Sequence, residues 1–179
     1  MLRTVKTLLV ALMIGILALA SYAGITYKLD SLKTSFGDPV LNTKTSEARM
    51  REVECLARNI YHEAGYEDFE GKVAVAQVTM NRTDSGKFPN DVCKVVYQKN
   101  IVYEKVICQF SWYCEQPATV KPANKKVYEE SYKVAQQVLL EGYRLPSLVK
   151  AMYYHADYVN PGWQKKRIAK IGRHIFYEG

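Results

Sequence analysis

Residues 52–82 read EVECLARNIYHEAGYEDFEGKVAVAQVTMNR, and two helical patterns meet inside them. In the first half Val53, Leu56, Ala57, Ile60, Tyr61 and Ala64 recur at the i, i+3, i+4, i+7 spacing of a helix with one buried face. In the second half Val73, Ala74, Val75, Ala76, Val78 and Met80 make the first turns apolar nearly all round, which predicts a helix enclosed by the core. Between the two lies a polar, glycine-broken elbow, 62–71. Glu63 falls in the last turn of the first helix, beside its buried stripe. A helix C-terminus repels a carboxylate, and apolar neighbours desolvate it, so both favour the protonated form. An acid kept neutral near pH 7 has a proton to give, which makes Glu63 the candidate general acid. The same spacing also describes a solvated carboxylate at a helix end.

Several ordered blocks tip that balance. Residues 57–64 (ARNIYHEA), 71–78 (GKVAVAQV) and Asn81-Arg82 resemble the signature of the SleB/CwlJ-type cell-wall hydrolases. The resemblance continues through Phe88-Pro89, 95–98 (VVYQ), 108–112 (CQFSW), 154–156 (YHA) and 171–177 (IGRHIFY). It implies a mainly helical α+β domain of the lysozyme-like, lytic-transglycosylase-like kind with a small β element. It carries the family's catalytic glutamate onto Glu63. One departure is visible: the family's elbow pattern is Glu-Ala-Arg-Gly-Glu, and here it reads Glu63-Ala64-Gly65-Tyr66-Glu67.

With 179 residues, the chain has room for one domain plus an appendage. Residues 1–26 read as a signal peptide or membrane anchor. Arg3 and Lys6 precede an apolar run from Leu8 to Ala20, and small-x-small sites end at Ala20 and Ala23. The basic end would stay inside and the rest would be exported to the cell envelope. Residues 27–46 show no periodicity and read as a linker or extended arm, with Ser46 and Glu47 capping the helix that leads to Glu63. Residues 47–179 read as the catalytic domain that the resemblance implies.

Within that domain, 91–98 reads as a short helix and 99–114 as an irregular aromatic stretch. Gln109, Phe110, Ser111 and Trp112 have the composition of a cleft wall, with Trp112 to stack on a sugar and Gln109 and Ser111 to bond its hydroxyls. A loop from Pro117 leads to an amphipathic helix over 124–141, ended by Gly142. Residues 148–155 and 168–177 read as two strands around a loop. Tyr154, His155 and Trp163 complete the set of candidate substrate-binding residues. Cys55, Cys93, Cys108 and Cys114 permit three pairings. A bond within the last three would staple the aromatic stretch to the short helix, leaving Cys55 as a core thiol.

A formal charge of +7 suits an anionic envelope, and no nucleic-acid motif accompanies it. Tyr66 stands where a His-Glu-x-x-His zinc helix needs its second histidine, so no metal or other cofactor is expected. The expected partner is the glycan strand of peptidoglycan, with the membrane as a second contact if the N-terminal segment is kept. Glycosidases ordinarily use two carboxylates. The resemblance implies an alternative in which Glu63 works alone and the sugar supplies its own nucleophile. Glu67 or Glu70 as a second carboxylate would make a hydrolase instead. Glu67 lies past the helix break and need not face the cleft, while Glu70 is placed to cap the following helix. A wall-binding module without catalysis is the remaining alternative.

Overall fold

The computed structural model describes residues 2–36, 39–115 and 121–179, with side chains for 12–29, 45–115 and 121–179. Arg3 and Lys6 have no described side chains, Gly37 and Asp38 are outside the described residues, and so is most of the loop expected from Pro117. The chain divides into two units, Met1–Glu47 and Ala48–Gly179. Helix α1 (Leu2–Phe36) belongs to the first. Its stretch Leu12–Leu29 is long and apolar enough to cross a membrane, and its side chains are exposed. The expected linker is helical on both sides of residues 37–38, and α2 (Pro39–Ala64) begins well before Ser46. Proline suits a helix start, because the N–H it lacks would have no partner in the first turn.

The second unit is mainly helical with two small sheets. Its helices are the C-terminal part of α2, then α3 (Phe69–Asp84), α4 (Val92–Val96), α5 (Ser111–Glu115) and α6 (Lys125–Leu139). Asp91 and Asn124 cap α4 and α6, each accepting from a backbone N–H three residues on. Helix α3 packs against α6, α4 and the strand β3 (Ala151–Ala156). Val53, Leu56 and Ile60 of α2 meet Val73 and Val78 of α3 in one fully buried core. Each such aliphatic side chain contributes about 1.5–3 kcal/mol on burial.

The polar residues that α3 turns inward do a different job, Gln77 and Arg82 being buried and Asn81 half-buried. Gln77 clamps the Leu145 backbone, donating to its carbonyl (3.1 Å) and accepting from its N–H (2.7 Å). Asn81 donates to the carbonyls of Leu148 and Ala151, both at 2.8 Å, and Arg82 Nε donates to Met152 O at 2.9 Å. These bonds fasten the backbone that enters β3, so that strand is set in place from α3.

Three expectations about β structure and cysteines change. Residues 99–108 form a hairpin, β1 (Lys99–Val102) with β2 (Lys105–Cys108), not an irregular stretch. Its two turn residues, Tyr103 and Glu104, both have positive φ, the tight reversal that glycine or asparagine usually announces. Residues 168–177 are two strands, β4 (Arg167–Ile171) and β5 (His174–Glu178), reversed at Gly172. They pair antiparallel in the order β3-β5-β4. The disulfides join Cys55 to Cys93 and Cys108 to Cys114, so Cys55 is not a free thiol. The first ties α2 to α4, whose Cα atoms approach to 5.2 Å there.

Candidate active site

Helix α2 delivers Glu63 to the elbow, and Gly65 lets the elbow close. A Cβ at Gly65 would overlap the Tyr61 carbonyl and press on Val127 of α6 at 3.0 Å. The glycine is one position earlier than in the family's elbow pattern, and the chain still turns: Glu67 N donates to Ala64 O at 3.0 Å, while Tyr66 points to solvent. Asp68, not Glu70, caps α3, accepting from Gly71 N at 2.8 Å. Glu70 is exposed in the first turn.

Across the elbow, Tyr154 of β3 donates its hydroxyl to Glu63 Oε2 at 2.9 Å. Burial pushes the Glu63 carboxyl above the usual carboxylate range, against the pull of the Tyr154 bond and the Arg82 charge. Burial, together with the negative charge on Glu63, pushes the Tyr154 phenol well above its ordinary value, so it remains a donor. Arg82 is buried, flanked by the rings of Phe88 (5.4 Å) and Phe110 (5.1 Å), and its Nη1 has no hydrogen-bond partner. The same neighbours would receive its anion: a phenol donor and a buried cation stand ready to stabilise the Glu63 carboxylate.

A cavity of about 330 Å³ opens over Glu63, walled by residues 61–67 and Arg173. Glu67 also lines it, which the sequence leaves open. Its carboxylate accepts from Arg173 N at 3.3 and 3.4 Å and lies 3.9 Å from His174 Nδ1. Gly172, at φ +54°, leaves room for that carboxylate, which a Cβ there would overlap. Glu67 thus holds the β4–β5 turn at the rim.

The remaining candidates scatter. Trp112 is buried, donating Nε1–H to Asn59 Oδ1 at 3.0 Å, and is no open stacking platform. Its face carries His62 instead, with ring centroids 4.3 Å apart and planes 13° off parallel. Phe110 is buried beneath Arg82. Gln109 and Ser111 are outside the cavity walls, Gln109 half-buried and Ser111 exposed. Only Tyr154 of the substrate-binding set meets Glu63. His155, next along β3, points to the other sheet face, donating Nδ1–H to Ala156 O (2.8 Å) and accepting from the Tyr177 hydroxyl (2.8 Å) at Nε2. Trp163 joins it there, 5.6 Å away. Sequence reasoning gave no role to Asn59, which also donates to Thr79 Oγ1 at 3.2 Å. A fully buried amide inside an apolar stripe was the available signal.

The family model described as Cell Wall Hydrolase matches residues 66–177. The chain belongs to the cell wall hydrolase family. Within it, the chain is 29% identical over 131 residues to the spore cortex-lytic enzyme of Bacillus subtilis, covering 71% of this chain and 37% of that protein. It is 28% identical over 144 residues to the enzyme of the same name from Oceanobacillus iheyensis, covering 78% and 46%. The chain therefore spans less than half the length of these relatives. Among solved structures, the catalytic domain of the Bacillus cereus SleB protein aligns with a TM-score of 0.53 at 26% identity, over 71% of this chain and 89% of that one. The catalytic domain of the germination-specific lytic transglycosylase SleB from Bacillus anthracis aligns at 0.54 and 26%, over 71% and 93%. The fold is that of these domains: α+β, mainly helical and lysozyme-like, as the sequence predicts.

Proposed function

We propose that this cell wall hydrolase cleaves the β-1,4 bond between N-acetylmuramic acid and N-acetylglucosamine in peptidoglycan, by lytic transglycosylation with Glu63 as sole acid and base. The observation that carries the reading is the half-buried Glu63 carboxyl, raised in pKa by desolvation and held by Tyr154 in the wall of an open cavity. The Glu63 proton goes to the glycosidic oxygen as the bond to muramic C1 breaks, and N-acetylglucosamine leaves with a free O4 hydroxyl. The carboxylate then takes the proton of the muramic C6 hydroxyl as O6 bonds to C1. The product is a 1,6-anhydro sugar, and Glu63 is protonated again. Tethering the nucleophile to the substrate replaces a second carboxylate by proximity. The names of the relatives and the family support the substrate class.

Glu67 supports a second reading. It shares the cavity with Glu63, so a hydrolase using both is chemically available. Its engagement with Arg173 N and its place beside His174 favour a positioning role instead. The apolar stretch of α1 supports export to the cell envelope, with the membrane as a further contact if α1 is retained.

The test is release of soluble glycan fragments from purified peptidoglycan by the full chain in detergent. Glu63→Gln keeps the shape and loses the transferable proton, and is expected to cut release ~10²–10⁴-fold, the usual worth of general acid–base catalysis. Release within a few-fold of the parent would exclude Glu63 as the acid. Wall binding without release by the parent itself would favour the non-catalytic module.

A further inference from the structure

The outer face of the three-stranded sheet carries an aromatic corner that the chemistry at Glu63 does not use. Tyr153 and Tyr177 are cross-strand partners, and His155 stacks on Tyr177 with centroids 5.3 Å apart and planes 27° off parallel. Trp163 stands against this floor. It is 5.6 Å from His155, 5.8 Å from Tyr177 and 6.1 Å from Tyr153, with its plane turned 81°, 81° and 67° to theirs. The Lys165 ammonium lies 3.8 Å from the centre of the Tyr153 ring. None of the four rings is fully buried, and Trp163 keeps 41% of its surface exposed. The cluster is held together by its own contacts, including the His155–Tyr177 hydrogen bond, so little ordering remains to oppose a ligand.

We propose that this corner is a second carbohydrate-binding site, taking a sugar ring of the same peptidoglycan polymer on the sheet face opposite Glu63. The polymer's identity rests on the function proposed above. Three observations favour that occupant. Aromatic faces meeting at a near-right angle give a pyranose a floor and a wall, each with the amphipathic surface that suits a ring apolar on its faces and polar at its edge. Lys165 and Arg167 beside it complement the carboxylates of peptidoglycan stem peptides, while Lys166 between them pairs with Glu178 at 3.1 Å. The Glu63 cavity, at about 330 Å³, takes only a short piece of a substrate that continues far beyond it. Engaging such a polymer at two places raises retention without changing the chemistry at either.

The test is co-sedimentation of the full chain, in detergent and carrying Glu63→Gln, with insoluble peptidoglycan. Trp163→Ala is expected to raise the apparent Kd about ten-fold, and Trp163→Tyr, which keeps an amphipathic ring, to recover most of it. In the catalytically intact chain, Trp163→Ala is expected to lower the ratio of polymer clearing to soluble-fragment turnover by a similar factor. A Kd unchanged by Trp163→Ala overturns the proposal, as does equal loss on polymer and soluble fragments, which would put Trp163 in the cleft. A Trp163-dependent dimer in gel filtration, or Trp163-dependent binding to anionic vesicles without binding to peptidoglycan, would assign the corner to a second copy or to lipid and also overturn it. Sedimentation needs no turnover, so failure of Glu63 as the acid and failure of this site read out separately.

Discussion

Tyr154 and Tyr177 belong to the same three-stranded sheet, and each hydroxyl makes one short hydrogen bond, 2.9 Å to Glu63 and 2.8 Å to His155. The bonds are alike in length and unlike in consequence. The inner one ends on a half-buried carboxyl, near a buried guanidinium, under an open cavity. The outer one ends on a half-buried imidazole whose other nitrogen is already tied to a carbonyl. Charge and surroundings, not the hydrogen bond itself, separate the two faces, the proposed chemistry lying on one and the proposed second sugar site on the other. The difference also shows how much of a site lies behind the residues that touch substrate. Gln77, Asn81 and Arg82 fix the backbone of 145–152, which aims Tyr154 at Glu63.

Removing the inner hydroxyl should have the larger effect. Tyr154→Phe takes a donor from the Glu63 anion, and a hydrogen bond to a charged group is worth about 1.5–3 kcal/mol, so kcat/KM should fall about ten- to a hundred-fold. That bond also holds the Glu63 pKa down. Without it the carboxyl keeps its proton to higher pH, and the alkaline limb of the rate profile should move upward. A rate loss with an unmoved limb would mean that Tyr154 only packs the site.

A second comparison is smaller and uses stability. The folded chain holds the Glu63 proton to higher pH than the unfolded chain does, so it binds more protons as pH rises past the ordinary carboxylate range. Folding stability contributed at this position therefore falls with rising pH and levels off above the folded pKa. Glu63→Gln removes that penalty. Its melting temperature should exceed the parent's at neutral pH, with the gap closing toward pH 4. A gap that is constant with pH would contradict a raised pKa for Glu63.

The smallest effect belongs to the outer hydroxyl. Tyr177→Phe removes a bond between half-buried groups, and stability should drop by about 1 kcal/mol or less in a urea melt. The alkaline limb should stay in place. Movement of that limb would show that the two faces of the sheet communicate and that the contrast between them is false.

Glu63 stood out as a candidate because its desolvation starts locally, in an apolar stripe at helical spacing and a glycine that ends the helix two residues later; the further push from Glu115, far along the chain, leaves no such trace. Its partner was half legible. Tyr154 stood out within an aromatic strand, but what it faces depends on a contact across 91 residues, which periodicity does not encode. The same period-2 alternation that turns Tyr154 inward turns His155 outward, so two neighbours grouped by composition part company in space. Trp112 misled because its buried indole nitrogen finds Asn59, a partner invisible from the Trp112 side of the sequence. The β1–β2 hairpin was missed because Tyr103 and Glu104 make a turn usually marked by glycine or asparagine. Cys55 read as a core thiol because its own helix buries it, and only the packing of α4 on α2 brings Cys93 within reach.

The central claim is that Glu63 needs no second catalytic carboxylate, and isotope labelling of the product tests it most directly. Peptidoglycan digested by the full chain in ¹⁸O-water, followed by mass spectrometry of the released fragments, shows where the new glycan end obtained its oxygen. If the muramic C6 hydroxyl is the nucleophile, fragments end in 1,6-anhydro-N-acetylmuramic acid, one water lighter than the hydrolysed form and free of label at the new end. Reducing ends carrying ¹⁸O would contradict the claim and bring Glu67, the other carboxylate of the cavity, forward as the group that activates water.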